Sequence, residues 1–256
     1  MMETNVAKSR RNWLKTRDIE GMDEYYKKLN FKSTPYKLNI KFFLWDWSPA
    51  HRKIRSFLKP GSVLDDGGGF GPFRPYCEGM KYINLDPCEG MLKDDPGPEE
   101  TKIVGAGENL PFPDAHFDNV VSIAVLRLVS DDKRYLQEAY RVLKPGGIFV
   151  LVNATSDYPD NLKTNPFLFW VPYIYNYQKA RVGEETRWKE KLMPRAELIA
   201  LIESAGFKIK QTERVTKHLP WIWKFKPDSR LMWALARLFM RKKHGQYQLV
   251  VCERIE

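Results

Sequence analysis

The sequence predicts an α/β fold: a doubly wound, mostly parallel sheet of seven strands, with helices before it and a helical, aromatic-rich insertion after the fifth strand. Three observations predict it. Short apolar runs ending in acids or glycines recur from Ser62 to Val152, an amphipathic stretch from Asp131 to Leu143 lies between two of them, and glycines occupy alternate positions directly after the first run.

The runs Ser62 to Asp65, Lys81 to Leu85, Lys102 to Val104, Phe117 to Ile123 and Gly147 to Val152 read as the first five strands. Between the last two, Tyr135, Leu136, Ala139, Tyr140, Val142 and Leu143 cluster at helical spacing. Lys144-Pro145-Gly146-Gly147 then stops the helix and turns the chain into the fifth strand. Alternating strands and helices imply right-handed crossovers, and ligands of such sheets bind at the carboxyl ends of the strands. Pro194 opens a helix that runs to Ala205 and Gly206 ends it; Phe207 to Val215 and Tyr247 to Glu253 make the sixth and seventh strands.

Two helices are expected ahead of the sheet. One covers Asn12 to Asn30, and the other runs to Leu58 with Ser48 as its N-cap and Pro49 in its first turn. Residues 1–60 thus form an N-terminal helical extension, or lid, and 61–256 the sheet domain. That domain carries an insertion over 154–193, with Phe167, Phe169, Trp170, Tyr173, Tyr175, Tyr177 and Trp188, and a basic, aromatic segment over 216–245.

Hydrophobic residues make up 43% of the 256, enough for a full core in one domain of roughly 150 to 250 residues. A net charge of +10 favours anionic surroundings: nucleic acid, a membrane surface or an acidic substrate. Three cysteines without C-x-x-C spacing argue against a disulfide framework or a zinc site, no other metal site is expected, and a reducing, cytoplasmic setting is. Met1 to Arg17 lacks the apolar core of a signal peptide. Pro166 to Tyr177 and Leu231 to Met240 are shorter than the about 20 apolar residues of a membrane span, so a soluble or peripheral protein is expected.

The sharpest feature is Val63-Leu64-Asp65-Asp66-Gly67-Gly68-Gly69-Phe70-Gly71, a strand that runs into a glycine loop. Such a loop allows close backbone approach to a ligand, and a helix N-terminus after it would offer free N–H groups. The dinucleotide fingerprint G-x-G-x-x-G fails, because Pro72 stands at the third glycine. The spacing is D-x-G-x-G-x-G instead. Asp86, with Pro87 after it, ends the second strand 21 residues beyond Asp65 (86 − 65), where a carboxylate can accept both hydroxyls of a ribose. Asp66 is expected to point to the face opposite Asp65, into solvent.

In these residues, and in Gly105-Ala106-Gly107-Glu108-Asn109-Leu110-Pro111-Phe112 before the fourth strand, the chain resembles the class I S-adenosylmethionine (SAM) dependent methyltransferases, especially the small-molecule type. The resemblance runs from about Val63 to Leu151. It implies a Rossmann-like fold, SAM as cofactor, and a cofactor site built from Asp65, Gly67, Gly69, Gly71, Asp86, Pro87, Ala106, Gly107 and Glu108. Ala106 stands where the family has an aspartate, which leaves adenine recognition to backbone groups around Ala106 and Gly107.

SAM brings an electrophilic methyl group, so the protein's task is alignment and exclusion of water. No catalytic base is singled out among His51, His116, His218 and His244. Arg127, just after the fourth strand, could hold a substrate carboxylate or phosphate through its planar fork. Tyr175 and Trp188 represent an aromatic acceptor pocket in the insertion. The expected activity is methyl transfer to a small biosynthetic metabolite. An RNA methyltransferase, a peripheral membrane enzyme acting on a lipid or quinone, and a non-catalytic SAM-binding protein stand as alternatives, and the oligomeric state is open.

Overall fold

The computed structural model describes residues 50–156, 192–215 and 247–256. The expected helix Asn12 to Asn30, most of the 1–60 extension, the insertion and the basic segment therefore lie outside the described residues.

Seven strands form one sheet: β1 (Ser62–Asp66), β2 (Lys81–Asp86), β3 (Lys102–Val104), β4 (Phe117–Ile123), β5 (Leu143–Ala154), β6 (Phe207–Val215) and β7 (Tyr247–Arg254). Their order is β3-β2-β1-β4-β5-β7-β6. All neighbouring pairs from β3 to β5 are parallel, whereas β7 runs antiparallel to both β5 and β6. The chain reverses direction in strand order at β1, where β2 lies on one side and β4 on the other. Two crevices of opposite hand meet there, above the carboxyl ends of the strands.

The central strands are apolar runs because both faces are covered. On one face Leu64, Leu85, Val120, Phe149 and Leu151 pack against α2 (Asp132–Val142) and α3 (Arg195–Ser204). On the other, Val63, Tyr82, Val121, Val150 and Val152 pack with Ala50, Ile54 and Leu58 of the segment entering β1, whose residues 50–55 are helical, and with Phe73 and Cys77. Asp131 caps α2, its side chain accepting the Arg134 N–H (3.0 Å). The fully buried Asn119 ties the incoming chain to β4: its Nδ2 donates to Lys59 O (2.9 Å) and Ser62 O (3.0 Å), and its Oδ1 accepts Lys59 N–H (2.8 Å).

Two local expectations are corrected. The stretch Lys144 to Gly147, read as a turn before the fifth strand, belongs to β5. Pairing starts at Leu143 with Phe117 and resumes at Ile148 with Asn119, so the extra residues form a bulge, with Gly146 at φ 72° as its kink. The second correction concerns the segment after the glycine loop. A helix was expected there, but Arg74–Cys77 makes only a single 3-10 turn. Only residues 72–80 separate Gly71 from β2, and Pro72 and Pro75 fall among them. That length leaves no room for a multi-turn helix and the return to the sheet edge.

Candidate cofactor site

Gly67, Gly69 and Gly71 all have positive φ, at 83°, 55° and 71°, so the loop after β1 zigzags through a conformation that side-chain-bearing residues avoid. Its amides are used inside the protein: Gly67 and Gly68 donate to Leu85 O (2.7 and 3.2 Å), Gly69 to Asp86 Oδ2 (3.0 Å) and Gly71 to Gly68 O (3.0 Å). The free N–H groups of a helix start are replaced here by a loop that is tied down. A side chain at Gly69 would fill the space beside Asp86, its Cβ lying 3.1 Å from Met91 Cε and 3.9 Å from Asp86 Oδ2. That glycine therefore leaves a cradle open next to a carboxylate.

Asp86 ends β2 at this cradle. Its two oxygens are aimed by backbone donors, Oδ2 by Gly69 N–H and Oδ1 by Cys88 N–H (2.8 Å). A half-exposed carboxylate held this way, beside a loop kept free of side chains, suits two vicinal hydroxyls. The half-buried Pro87 follows it, and α1 (Glu89–Leu92) begins two residues later. The residues present thus fit the ribose end of a SAM molecule.

Asp65 and Asp66 point to opposite faces. Asp65 is buried and accepts the Tyr82 hydroxyl. Burial pushes its pKa up to about 7, with the Tyr82 bond working in the other direction. Asp66 is also buried, which corrects the expectation of a solvated side chain: the far face is covered by α2, and Tyr135 and Glu108 are its neighbours. Burial pushes the Asp66 carboxyl well above the ordinary range. Its Oδ2 is buried without a hydrogen-bond partner, and the neighbouring Tyr135 hydroxyl donates to Ser122 Oγ (2.7 Å).

The loop after β3 starts beside Asp86, whose carbonyl accepts the Gly105 N–H (3.2 Å). Ala106 is buried and brings a methyl group where a carboxylate is usual in the resembling family. Gly107 is required by close packing: a Cβ there would run into the Tyr135 ring and sit 2.7 Å from Asp66 Oδ2. Glu108 turns toward α2, its Oε1 accepting Ser130 N–H (2.7 Å) and its carbonyl accepting Arg134 Nε (2.8 Å). Glu138 and Arg141 continue this clamp, bonding Leu110 N–H (2.8 Å) and Leu110 O (3.1 Å). The structure buries Ala106 and Gly107 and uses the Glu108 side chain to tie their loop to Ser130.

Beyond β4 the backbone is strained at Ala124, whose φ is 62°. Arg127 lies in the 3-10 turn Leu126–Leu128 that follows, half-exposed at the carboxyl edge of the sheet, with Nε 3.3 Å from Ala124 O. Two candidate bases are set aside. His116 precedes the start of β4, a strand of 7 residues, so it sits at the opposite edge, roughly 20 Å away at about 3.3 Å per residue. His51 is buried against Phe73 and Tyr76, and burial lowers its pKa to about 3, so it is a neutral core residue. His218, His244, Tyr175 and Trp188 lie outside the described residues.

Sequence reasoning missed Tyr82, Asn84, Arg74 and Asp95, which lie under the glycine loop. One signal was visible: Asn84 interrupts an otherwise apolar β2 two residues before Asp86, on the same side of the strand.

A parallel sheet that reverses at β1, a glycine loop at that point and an acid closing β2 together define a nucleotide-cofactor-binding α/β protein. A family model described as a methyltransferase domain matches residues 64–151. A demethylmenaquinone methyltransferase of Listeria monocytogenes is 32% identical over 215 residues, 74% of this chain and 85% of that protein. The demethylmenaquinone methyltransferase of Symbiobacterium thermophilum is 31% identical over 144 residues, 50% of this chain and 57% of that one; the chain thus spans little more than half the length of that relative. A solved structure of a SAM-dependent methyltransferase from Thermotoga maritima superimposes with a TM-score of 0.58 at 20% identity, covering 90% of this chain and 99% of that one. The chain belongs to the class I SAM-dependent methyltransferases.

Proposed function

We propose that the chain binds SAM across Gly67 to Gly71 and Asp86 and transfers its methyl group to a small biosynthetic metabolite. The observation that carries this reading is the Asp86 carboxylate, fixed by Gly69 and Cys88 N–H groups beside a cradle that only glycine leaves open. Asp86 would take the ribose hydroxyls. The loop would pass the methionine end, and the 105–113 loop would border adenine through backbone groups at Ala106 and Gly107. SAM supplies the reactive methyl when bound, and the chain orients the acceptor and keeps water out. Titration calorimetry with S-adenosylhomocysteine tests the cofactor half. We expect micromolar binding by the natural chain and a loss of about tenfold or more in Asp86→Ala, since a hydrogen bond to a charged group contributes about 1.5–3 kcal/mol. Unchanged affinity in that variant would remove Asp86 from the site.

For the acceptor, the relatives named above favour a quinone-type ring as the second reading, delivered at a membrane surface. Among the described residues no helix is long and apolar enough to cross a membrane. Arg127 would meet an acidic or phenolate oxygen of the acceptor through its planar guanidinium. Arg127→Ala is expected to raise the acceptor KM about tenfold and leave the SAM KM within about twofold, reading the fork as a charge-assisted contact. Methyl transfer from labelled SAM to quinols, to small polar metabolites and to RNA distinguishes the acceptor classes. The buried cysteines Cys77, Cys88 and Cys252, none of them disulfide-bonded, fit the reducing cytoplasm in which we place the chain.

A further inference from the structure

We propose that Asn84, Asp95 and Arg74 are positioning residues for the cofactor loop, a side-chain circuit that fixes the Gly69 peptide and does the work of the helix this chain lacks after β1. The inference rests on the reading that Gly67 to Gly71 and Asp86 bind SAM.

The circuit begins with strand register. Asn84 lies directly beside Asp65 in the parallel β1–β2 pairing, so its side chain rises beneath the loop. Both of its amide hydrogens are used: Nδ2 donates to Gly69 O (2.9 Å) and to Asp95 Oδ2 (2.7 Å). Its Oδ1 is buried without a hydrogen-bond partner. Rotating the amide would turn that oxygen toward two other acceptors, so the chemistry dictates the observed orientation. An unmatched buried oxygen costs stability, and an apolar residue in this strand would avoid the cost. What the amide contributes in return is its hold on Gly69.

Asp95 anchors the other end. Oδ1 accepts Arg74 Nε (2.6 Å) and Gly97 N–H (2.8 Å), and Oδ2 accepts Arg74 Nη2 (2.6 Å) as well as Asn84. Burial alone would raise the pKa of Asp95, but these donors together hold it below the ordinary range. The Arg74 guanidinium also lies over the Tyr82 ring, 4.5 Å from its centroid, and Tyr82 in turn donates to Asp65. The path thus returns to the start of the loop. Arg74 belongs to the 3-10 turn that follows the loop, so the same circuit grips Gly69 from below and the segment beyond Gly71 from behind.

The consequence falls on one peptide. The Gly69 N–H orients Asp86 while the carbonyl of the same residue is held by Asn84. Release of the carbonyl frees the loop to rotate and removes a donor from Asp86. The experiment measures S-adenosylhomocysteine affinity by calorimetry and steady-state KM values in Asn84→Ala, Asp95→Asn and Arg74→Lys. Expected for Asn84→Ala is a Kd about tenfold weaker, one hydrogen bond's worth, with the SAM KM raised alike. The acceptor KM, and kcat at saturating SAM, should stay within about twofold. The near-isosteric Asp95→Asn should move in the same direction if Asn84→Ala does not fold, and Arg74→Lys, which keeps charge but loses the fork, should weaken binding less. Ile202→Ala, in the opposite core layer, is the control for general destabilisation: its Tm falls while its Kd does not change. Natural affinity in both Asn84→Ala and Asp95→Asn, or equal loss in Ile202→Ala, overturns the inference. Absence of binding by the natural chain overturns the cofactor reading itself, and the two failures are distinct.

Discussion

The two faces of the sheet are built differently where they meet its carboxyl edge. Toward residues 50–55, the end of β1 rests on a network of hydrogen bonds and charges: Asp65, Tyr82, Asn84, Asp95 and Arg74. Toward α2 and α3 it rests on an apolar layer of Leu64, Leu85, Leu126, Leu136 and Leu198, with Asp66, Tyr135 and Ser122 as a small polar island. The hydrogen-bonded side specifies geometry at a few points, since each bond has a direction. The apolar side supplies most of the stability, since burial is proportional to area and indifferent to direction. Changes on the two sides should therefore separate cofactor affinity from stability.

The largest effect expected belongs to the apolar side. Leu136→Ala removes a fully buried side chain from α2 and should cost roughly 2–5 kcal/mol in denaturant unfolding. The affinity for S-adenosylhomocysteine should stay within about twofold, and a parallel loss of affinity would break the division between the faces. Next comes Gly68→Ala. Its added Cβ would meet Asn84 Oδ1 and lie 2.6 Å from Asp65 Oδ2, both of which are held in place. Overpacking of about 1–3 kcal/mol should weaken cofactor binding between roughly ten- and a hundredfold. Unaltered binding would mean that the polar network yields where rigidity is claimed for it.

A smaller effect sharpens the comparison at the polar island. The folded-state pKa of Asp66 is raised above the ordinary carboxylate value of 3.8, so the folded protein holds a proton that the unfolded chain releases. Its contribution is fully present in acid and is lost as pH rises from about 4 through the raised value. Asp66→Asn cannot ionise, so its Tm relative to the natural chain should climb between pH 5 and pH 8. A difference independent of pH would show that the carboxyl is not held neutral. Asp65, with its pKa pushed up to about 7, adds a slope of the same sign between about pH 4 and pH 7, and its charge is among the causes that raise Asp66.

Much of this site was legible in the residues themselves. The alternate glycines after β1 carry the positive φ angles that their spacing implied, and Asp86 sits at the end of its strand facing the loop. The expected helix after the loop failed because prolines and a short connection outweigh the general pattern of the fold. Solvation of Asp66 failed because its exposure depends on α2, which begins 66 residues later in the chain (132 − 66).

The sequence by itself determined the order of strands and helices, the glycine loop and the acid at the end of β2, because hydrophobic period and backbone freedom act over a few neighbouring residues. Only the tertiary structure decided which side chains stand under that loop. The pairing of Asp65 with Asn84, and the return of Asp95 to meet Arg74, depend on strand register and on a turn that closes 21 residues after it began (95 − 74). Register and closure are set by packing across the whole sheet, and no local pattern records them.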